Sequence, residues 1–94
     1  MSGLAVKWRE DLDALQFGAV NHGGVCIVHR LAFRRLLGFT PDRDDCIAYF
    51  AGHVTAFGAA ASAKIAVRRM LPACNFHLDS RDIRRQLLIT GQMA

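Results

Sequence analysis

The sequence predicts an α+β fold in which helices pack on one face of an antiparallel sheet of about three strands. Two segments near the start have the apolar pattern of strands, the middle of the chain repeats apolar residues at helical spacing, and a third short segment alternates again. The predicted order is strand, strand, helix, long helix, strand, helix. At 94 residues, 52% of them hydrophobic, the chain has the size and composition of one domain with a single core.

The first two strands are predicted to form a hairpin. Residues 1–13 mix charged and apolar side chains without a period, which indicates an irregular lead-in. Residues 15–19 alternate as in a half-buried strand, and residues 21–24 have the asparagine and glycines of a tight turn. Residues 25–28 are apolar throughout, which is typical of a central strand covered on both faces.

The middle of the chain predicts a short helix followed by a long one. Residues 29–37 have amphipathic spacing, and Gly38 is placed to end this helix. We expect Thr40 to cap the long helix with Pro41 at its first position, and Gly58 to mark a bend or a close contact. The apolar stripe of the long helix has three- and four-residue spacing: Ile47, Phe50, Val54, Phe57, Ala61 and Ile65.

A strand and a helix complete the predicted domain. Residues 74–78 alternate between apolar and polar side chains, residues 79–80 are an Asp-Ser helix cap, and residues 81–88 suit a short terminal helix. No internal repeat or linker divides the sequence. We therefore predict one domain over residues 1–94, made of a lead-in (1–13), a core (15–83) and a C-terminal helix with a tail (84–94).

Several short features occur in order along the core: Phe17 before a strand end, Gly23-Gly24 in a turn, residues 26–28 leading into Leu31 and Phe33, Phe50 with His53, alanines before Lys64-Ile65, and residues 80–83 after the last strand. In this order of features, residues 15–83 resemble a small bacterial family, the domain of unknown function family 1488. The resemblance implies a small cytoplasmic α+β domain and brings no catalytic residues. The chain departs from the family at Val54, where members often have arginine, and at His29, where they often have serine or threonine.

Charge and cysteine usage limit the class of protein. Twelve basic and eight acidic residues give a formal net charge of +4. The first ten residues have no apolar run of signal-peptide length, so the three cysteines are expected to be reduced and the protein cytoplasmic. The longest uncharged stretch, residues 46–63, is too weakly apolar for a membrane span, and no membrane partner is predicted.

Three arginine pairs form the candidate binding surface: Arg34-Arg35, Arg68-Arg69 and Arg84-Arg85. Each pair is predicted to lie toward the end of a helix. If the pairs converge in space, they form a cationic patch that binds phosphate groups, as in a weak nucleic-acid-binding protein. The other interpretation is a solvated surface whose charges complement the helix dipoles.

His53 is the candidate functional histidine, because it borders the apolar stripe and imidazole exchanges protons near neutral pH. The alternative is a hydrogen-bonded histidine at the edge of the core. Cys26 with His29, and Cys74 with His77, have a spacing that could supply zinc ligands. Residues three apart on a strand face opposite sides of the sheet, so we predict no metal site and no cofactor.

These features favour a small cytoplasmic interaction or accessory module without catalysis. Because the central strand is apolar on both faces and helices are predicted on one, the expected partner is a second copy, giving a homodimer, or another protein. Two alternatives stay open. One is a weak nucleic-acid-binding protein that uses the paired arginines. The other is a small enzyme or metal protein that uses His53 or the Cys/His strands.

Overall fold

The structure, a computed structural model, describes residues 6–19 and 21–90. Its elements are β1 (Val6–Arg9), β2 (Ala14–Gly18), β3 (Val25–His29), α1 (Arg30–Leu37), α2 (Arg43–Gly52), α3 (Val54–Arg68), β4 (Phe76–His77) and α4 (Ser80–Thr90). The predicted α+β class is confirmed, with a sheet of four strands instead of about three. Residues 1–5 of the predicted lead-in and 91–94 of the predicted tail lie outside the described residues.

The lead-in contains a strand that the sequence analysis did not predict. β1 pairs antiparallel with β2, with Trp8 opposite Leu15, so the expectation of an irregular segment is wrong for residues 6–9. Four residues are too few to show a period of their own. The strand forms because it pairs with β2, and no sequence pattern within β1 itself indicates it.

The sheet is mixed, with strand order β1-β2-β3-β4. β2 and β3 form the predicted antiparallel pair, whereas β4 runs parallel to β3, with Phe76 opposite Cys26. The expected all-antiparallel sheet is thus corrected at β4. After β3 the chain passes through three helices before it returns, which is the long crossover that a parallel neighbour requires. Alternation in residues 74–78 indicated a strand but contains no information on its direction.

The loop between β2 and β3 uses its glycines for close packing. The N–H groups of Gly23 and Gly24 both donate to the Pro72 carbonyl oxygen, over 2.6 and 3.1 Å. A Cβ on Gly24 would lie 2.1 Å from the Cys74 carbonyl oxygen. The positive φ in this loop belongs to Asn21, at 60°. The predicted tight turn is therefore a longer loop that docks against residues 72–74.

The predicted long helix is two helices joined at His53. α2 and α3 are bent by 84° relative to each other. The backbone of His53 leaves the helical region at φ −134° and ψ 31°, and Val54, a member of the predicted stripe, is 40% exposed. Gly58, the expected bend, lies inside α3 with open space around it.

The break is consistent with the size of the folded molecule. A straight helix over residues 43–68 would be about 39 Å long, whereas the largest dimension of the molecule is 34 Å. The bend lets both helices place their apolar residues on the same core. Within the described residues no single helix is long and apolar enough to cross a membrane, and α2 with α3 would suffice only as a bent pair.

Two of the three predicted helix boundaries are confirmed at the residue level. Gly38 ends α1 in the left-handed conformation, with φ 85°. Asp79 caps α4, because its carboxylate accepts the Asp82 N–H over 2.9 Å. The start of α2 differs: Asp42, and not Thr40, is the cap. Its partner Asp45 completes a reciprocal pair of hydrogen bonds, which satisfies two backbone N–H groups at once.

The core lies between one face of the sheet and the helices. The sheet contributes Leu15, Phe17, Cys26 and Val28, and the helices contribute Phe33, Phe50, Phe57 and Ile83 among others. The opposite face has Gln16 and His77 in register with Ile27. Ile27 is only 4% exposed within the single chain, so this face of β3 is covered without a second subunit.

Candidate functional site: an arginine surface

The six predicted arginines lie on, or directly after, three helices that contribute to the same core. Arg34 and Arg35 are in the last turn of α1, and Arg68 is the last residue of α3, followed by Arg69. The third pair, Arg84 and Arg85, lies in the middle of α4, because this helix continues to Thr90. All six side chains are exposed. We call them the arginine surface.

These arginines differ from most other basic residues because none has a carboxylate partner among the described residues. The ion pairs among the described residues are Arg9–Asp11, Arg30–Asp13, Arg43–Glu10, Arg43–Asp44, Lys64–Asp82 and Arg81–Asp79. Lys7 and the six arginines are the basic residues left without one. The excess positive charge of the protein is therefore concentrated on the arginine surface.

Part of this surface is formed where α1 meets α4. The Arg84 guanidinium donates a hydrogen bond to the Arg35 carbonyl oxygen, which joins the two pairs. Arg34 and Arg35 line a shallow groove of about 430 Å³ together with Leu31 and Gly38. The carbonyl groups at the end of α1 carry partial negative charge, so this contact also suits the helix dipole.

The remaining part lies between α3 and α4. Arg68 and Arg85 line a groove of about 230 Å³ with Val67 and Gln86. Consecutive residues on a helix point about 100° apart, so α4 contributes Arg84 to one group and Arg85 to the other. Arg69 caps α3 in the left-handed conformation, with φ 51°, and lines neither groove. The structure thus brings five of the six arginines into two adjacent groups linked by α4.

Large apolar side chains are exposed beside these arginines. Leu31 is 51% exposed on α1, Val67 is 79% exposed on α3, and Leu88 is 64% exposed on α4. Leu31 and Leu88 are three or four positions from an arginine pair on the same helix, and residues at this spacing share a helix face. Phe39, directly after Gly38, is also exposed. The surface therefore combines cationic and apolar groups.

His53 contacts a tyrosine. Its Nδ1 lies 3.0 Å from the Tyr49 carbonyl oxygen, and its ring stacks on the Tyr49 ring with centroids 4.3 Å apart. Burial raises the pKa of the Tyr49 phenol, and the nearby Arg84 charge opposes this shift. His53 is therefore held against Tyr49 by a hydrogen bond and by ring stacking. Asp79 and Asp82, which could have served it as acidic partners, hydrogen-bond each other's backbone at the start of α4.

The Cys/His strands are divided between the two faces of the sheet. Cys26 lies in the core, and burial raises the pKa of its thiol. His29 lies on the opposite face and stacks on His77, with ring centroids 5.0 Å apart. Cys74 is exposed, and its thiol donates to the Asn75 carbonyl oxygen. Within residues 6–19 and 21–90, no three His, Cys, Asp or Glu side chains are grouped as metal ligands.

A third groove escaped the sequence analysis. It has a volume of about 310 Å³ and lies where α1, β4 and the start of α4 meet, with Ser80 among its lining residues. No sequence signal could have located it, because it depends on the parallel placement of β4 beside β3.

Comparison of the chain with protein-family models, with curated proteins and with solved structures finds no match.

Proposed function

We propose that this chain is a non-catalytic binding module that contacts an acidic protein through its arginine surface. One observation carries the proposal: six exposed arginines, which have no carboxylate partner within residues 6–19 and 21–90, lie on or directly after helices that also expose large aliphatic side chains. Arginine is enriched in protein interfaces and among their energetically dominant residues, and the centres of such interfaces are apolar. A partner with carboxylates around an apolar patch would complement both features.

A protein partner fits this surface better than nucleic acid. Proteins that bind single strands usually stack successive bases on several aromatic side chains. Among the described residues, Phe39 is the one large aromatic side chain that is strongly exposed. The aliphatic residues around the arginines offer little to a phosphate backbone. Binding to nucleic acid is therefore the alternative that the nuclease treatment would reveal.

The remaining expectations agree with a binding module. The resemblance to domain of unknown function family 1488 implies a small cytoplasmic domain and assigns no catalytic residues. A second copy of the chain would present the same positive charge, so a symmetric dimer through the arginine surface would place arginines against arginines. The predicted homodimer therefore requires another surface, such as the free edge of β1.

The test is affinity recovery from native cells with and without nuclease, using matched charge variants. Arg34→Gln with Arg85→Gln removes two charges from the arginine surface. Lys7→Gln with Arg43→Gln removes two exposed charges elsewhere. We expect wild type and the control to recover the same acidic protein after nuclease treatment. The arginine variant is expected to recover at least about tenfold less, because truncating one partner of a desolvated interfacial charge pair costs about 2 kcal/mol or more.

Two results would contradict the proposal. Recovery that disappears with nuclease would identify nucleic acid as the partner. Equal recovery by both double variants would show that the arginine surface is not the contact. Binding of the purified partner is also expected to weaken as salt is raised, since salt screens exposed charges.

A further inference from the structure

The groove at the start of α4, here the Ser80 groove, has an apolar floor and a polar rim. Leu31, Ala32 and Leu78 contribute the apolar lining, and Arg35 and the stacked pair His29 and His77 contribute polar groups. Its volume of about 310 Å³ is at the lower end of the range for small-molecule sites. Apolar walls with a few polar groups are the usual composition of such sites.

Ser80 is the buried polar residue among the described residues that line this groove. It is 4% exposed and lines the groove, and its hydroxyl makes no hydrogen bond to any described residue. A serine hydroxyl can donate one hydrogen bond and accept others, so the Ser80 hydroxyl is available to bond to a ligand in the groove.

Of the lysine and arginine side chains that line the groove in the described part of the chain, Arg35 alone has no ion pair. The Lys64 ammonium is held by the Asp82 carboxylate at 3.0 Å. The Asp79 carboxylate accepts a hydrogen bond from the Asp82 N–H and so caps α4. This hydrogen bond also lowers the pKa of the Asp79 carboxyl. Arg35 is exposed and has no ion pair among the described residues. The group best placed to select a charged ligand is therefore the Arg35 guanidinium, which suits a carboxylate.

We propose that the Ser80 groove binds a small organic acid with an apolar body. The carboxylate pairs with Arg35, the apolar body lies on the aliphatic floor, and the Ser80 hydroxyl hydrogen-bonds to the ligand. This site does not depend on the proposed protein partner. Arg35 is shared by the two surfaces, but Ser80 belongs to the groove alone.

Three probes separate the parts of this recognition in an NMR titration of the full chain. Phenylacetate has both the carboxylate and an apolar body, phenylacetamide lacks the charge, and acetate lacks the apolar body. We expect phenylacetate to shift the amide signals of residues 29–32 and 78–80 saturably, and each of the other two to bind at least about tenfold more weakly. Absence of a saturable shift at these residues with phenylacetate would overturn the proposal.

Matched variants test the two residues. Ser80→Ala and Arg35→Gln are each expected to weaken phenylacetate binding about tenfold. Ser62→Ala, an exposed serine on α3, and Arg34→Gln, on the same helix as Arg35, are expected to leave it unchanged. Equal weakening by Arg34→Gln and Arg35→Gln would show a general charge effect and refute the site. Ser80→Ala is expected to keep the protein partner, so this site and the proposed function fail separately.

Discussion

Gly24 and Gly58 differ in the space that the structure leaves for a side chain, although neither glycine stands out in the sequence. Gly24 is buried against the backbone of residues 72–74, and Gly58 lies in α3 with open space where a Cβ would be. Sequence pattern assigned the first to a turn and the second to a bend or a close contact. Both interpretations failed in part, because backbone proximity between distant segments is not encoded in local composition.

Alanine substitution should separate these two glycines. Gly24→Ala is expected to lower the free energy of unfolding by about 2–3 kcal/mol, because its Cβ would overlap a backbone carbonyl oxygen. Gly58→Ala is expected to raise it by up to about 1 kcal/mol, since alanine is the better helix former. Urea denaturation measures both. A Gly24→Ala protein as stable as wild type would show that the loop does not pack as described.

At the residue scale the candidate site was only partly predictable. The six arginines could be named from sequence, but their lack of carboxylate partners could not, because the ion pairs of other basic residues join distant positions such as Arg30 with Asp13. His53 was also identifiable, whereas its contact with Tyr49 depends on the break between α2 and α3. Ser80 was predicted as part of a helix cap, and its place in a groove was not foreseen.

Two helix ends were predicted correctly, because their signals act over a few residues, whereas the predicted long helix proved to be two. Gly38 and Asp79 end α1 and begin α4 as expected. The strands at the sheet edges are the least predictable. β1 has four residues and β4 has two, so pairing with the neighbouring strand determines both. Strand direction and the 84° bend are likewise set by how segments pack, not by their own periodicity.

The cap of α4 gives a stability prediction with a pH dependence. Asp79→Ala is expected to lower the free energy of unfolding by about 1 kcal/mol near pH 7, because the Asp82 N–H loses its acceptor. The same hydrogen bond, more than any other cause, lowers the pKa of the Asp79 carboxyl. A depressed carboxyl pKa stabilises the fold above the unfolded value near pH 4 and loses this contribution as pH falls through the folded value.

The difference in stability between wild type and Asp79→Ala should therefore narrow as pH is lowered from about 7 to about 2. Asp44→Ala, an exposed carboxylate in the first turn of α2 that does not form its capping box, serves as the control and should change stability by less than about 0.5 kcal/mol. Thermal unfolding followed by circular dichroism provides the measurement. A pH-independent difference would rule out the cap as its cause.

At the scale of the whole molecule, the charge distribution limits how two copies of the chain could associate. The acidic residues are engaged in ion pairs or helix caps, and the unpaired arginines share the helical side of the fold. This arrangement opposes association of two copies through that side. A homodimer would therefore have to form through another surface. The dimer was predicted from an uncovered face of the central strand, but Ile27 on that face is buried within the single chain.

Light scattering over a wide concentration range tests the homodimer. A dimer through the edge of β1 should give twice the 10.4 kDa chain mass at both low and high salt, because backbone pairing is insensitive to screening. A mass that doubles only at high salt would place the contact on the arginine surface instead. A mass of 10.4 kDa at every concentration would exclude the homodimer.

The sequence by itself determined the α+β class, the β2–β3 hairpin, the limits of α1, the start of α4, and the identity of the arginines. These features depend on hydrophobic periodicity and capping signals, which act between residues a few positions apart. Only the tertiary structure decided the direction of β4, the division of the long helix at His53, and the grouping of Arg84 with Arg35 and of Arg85 with Arg68. Those features arise from contacts between segments far apart in the chain, where burial of a shared core overrides local preference.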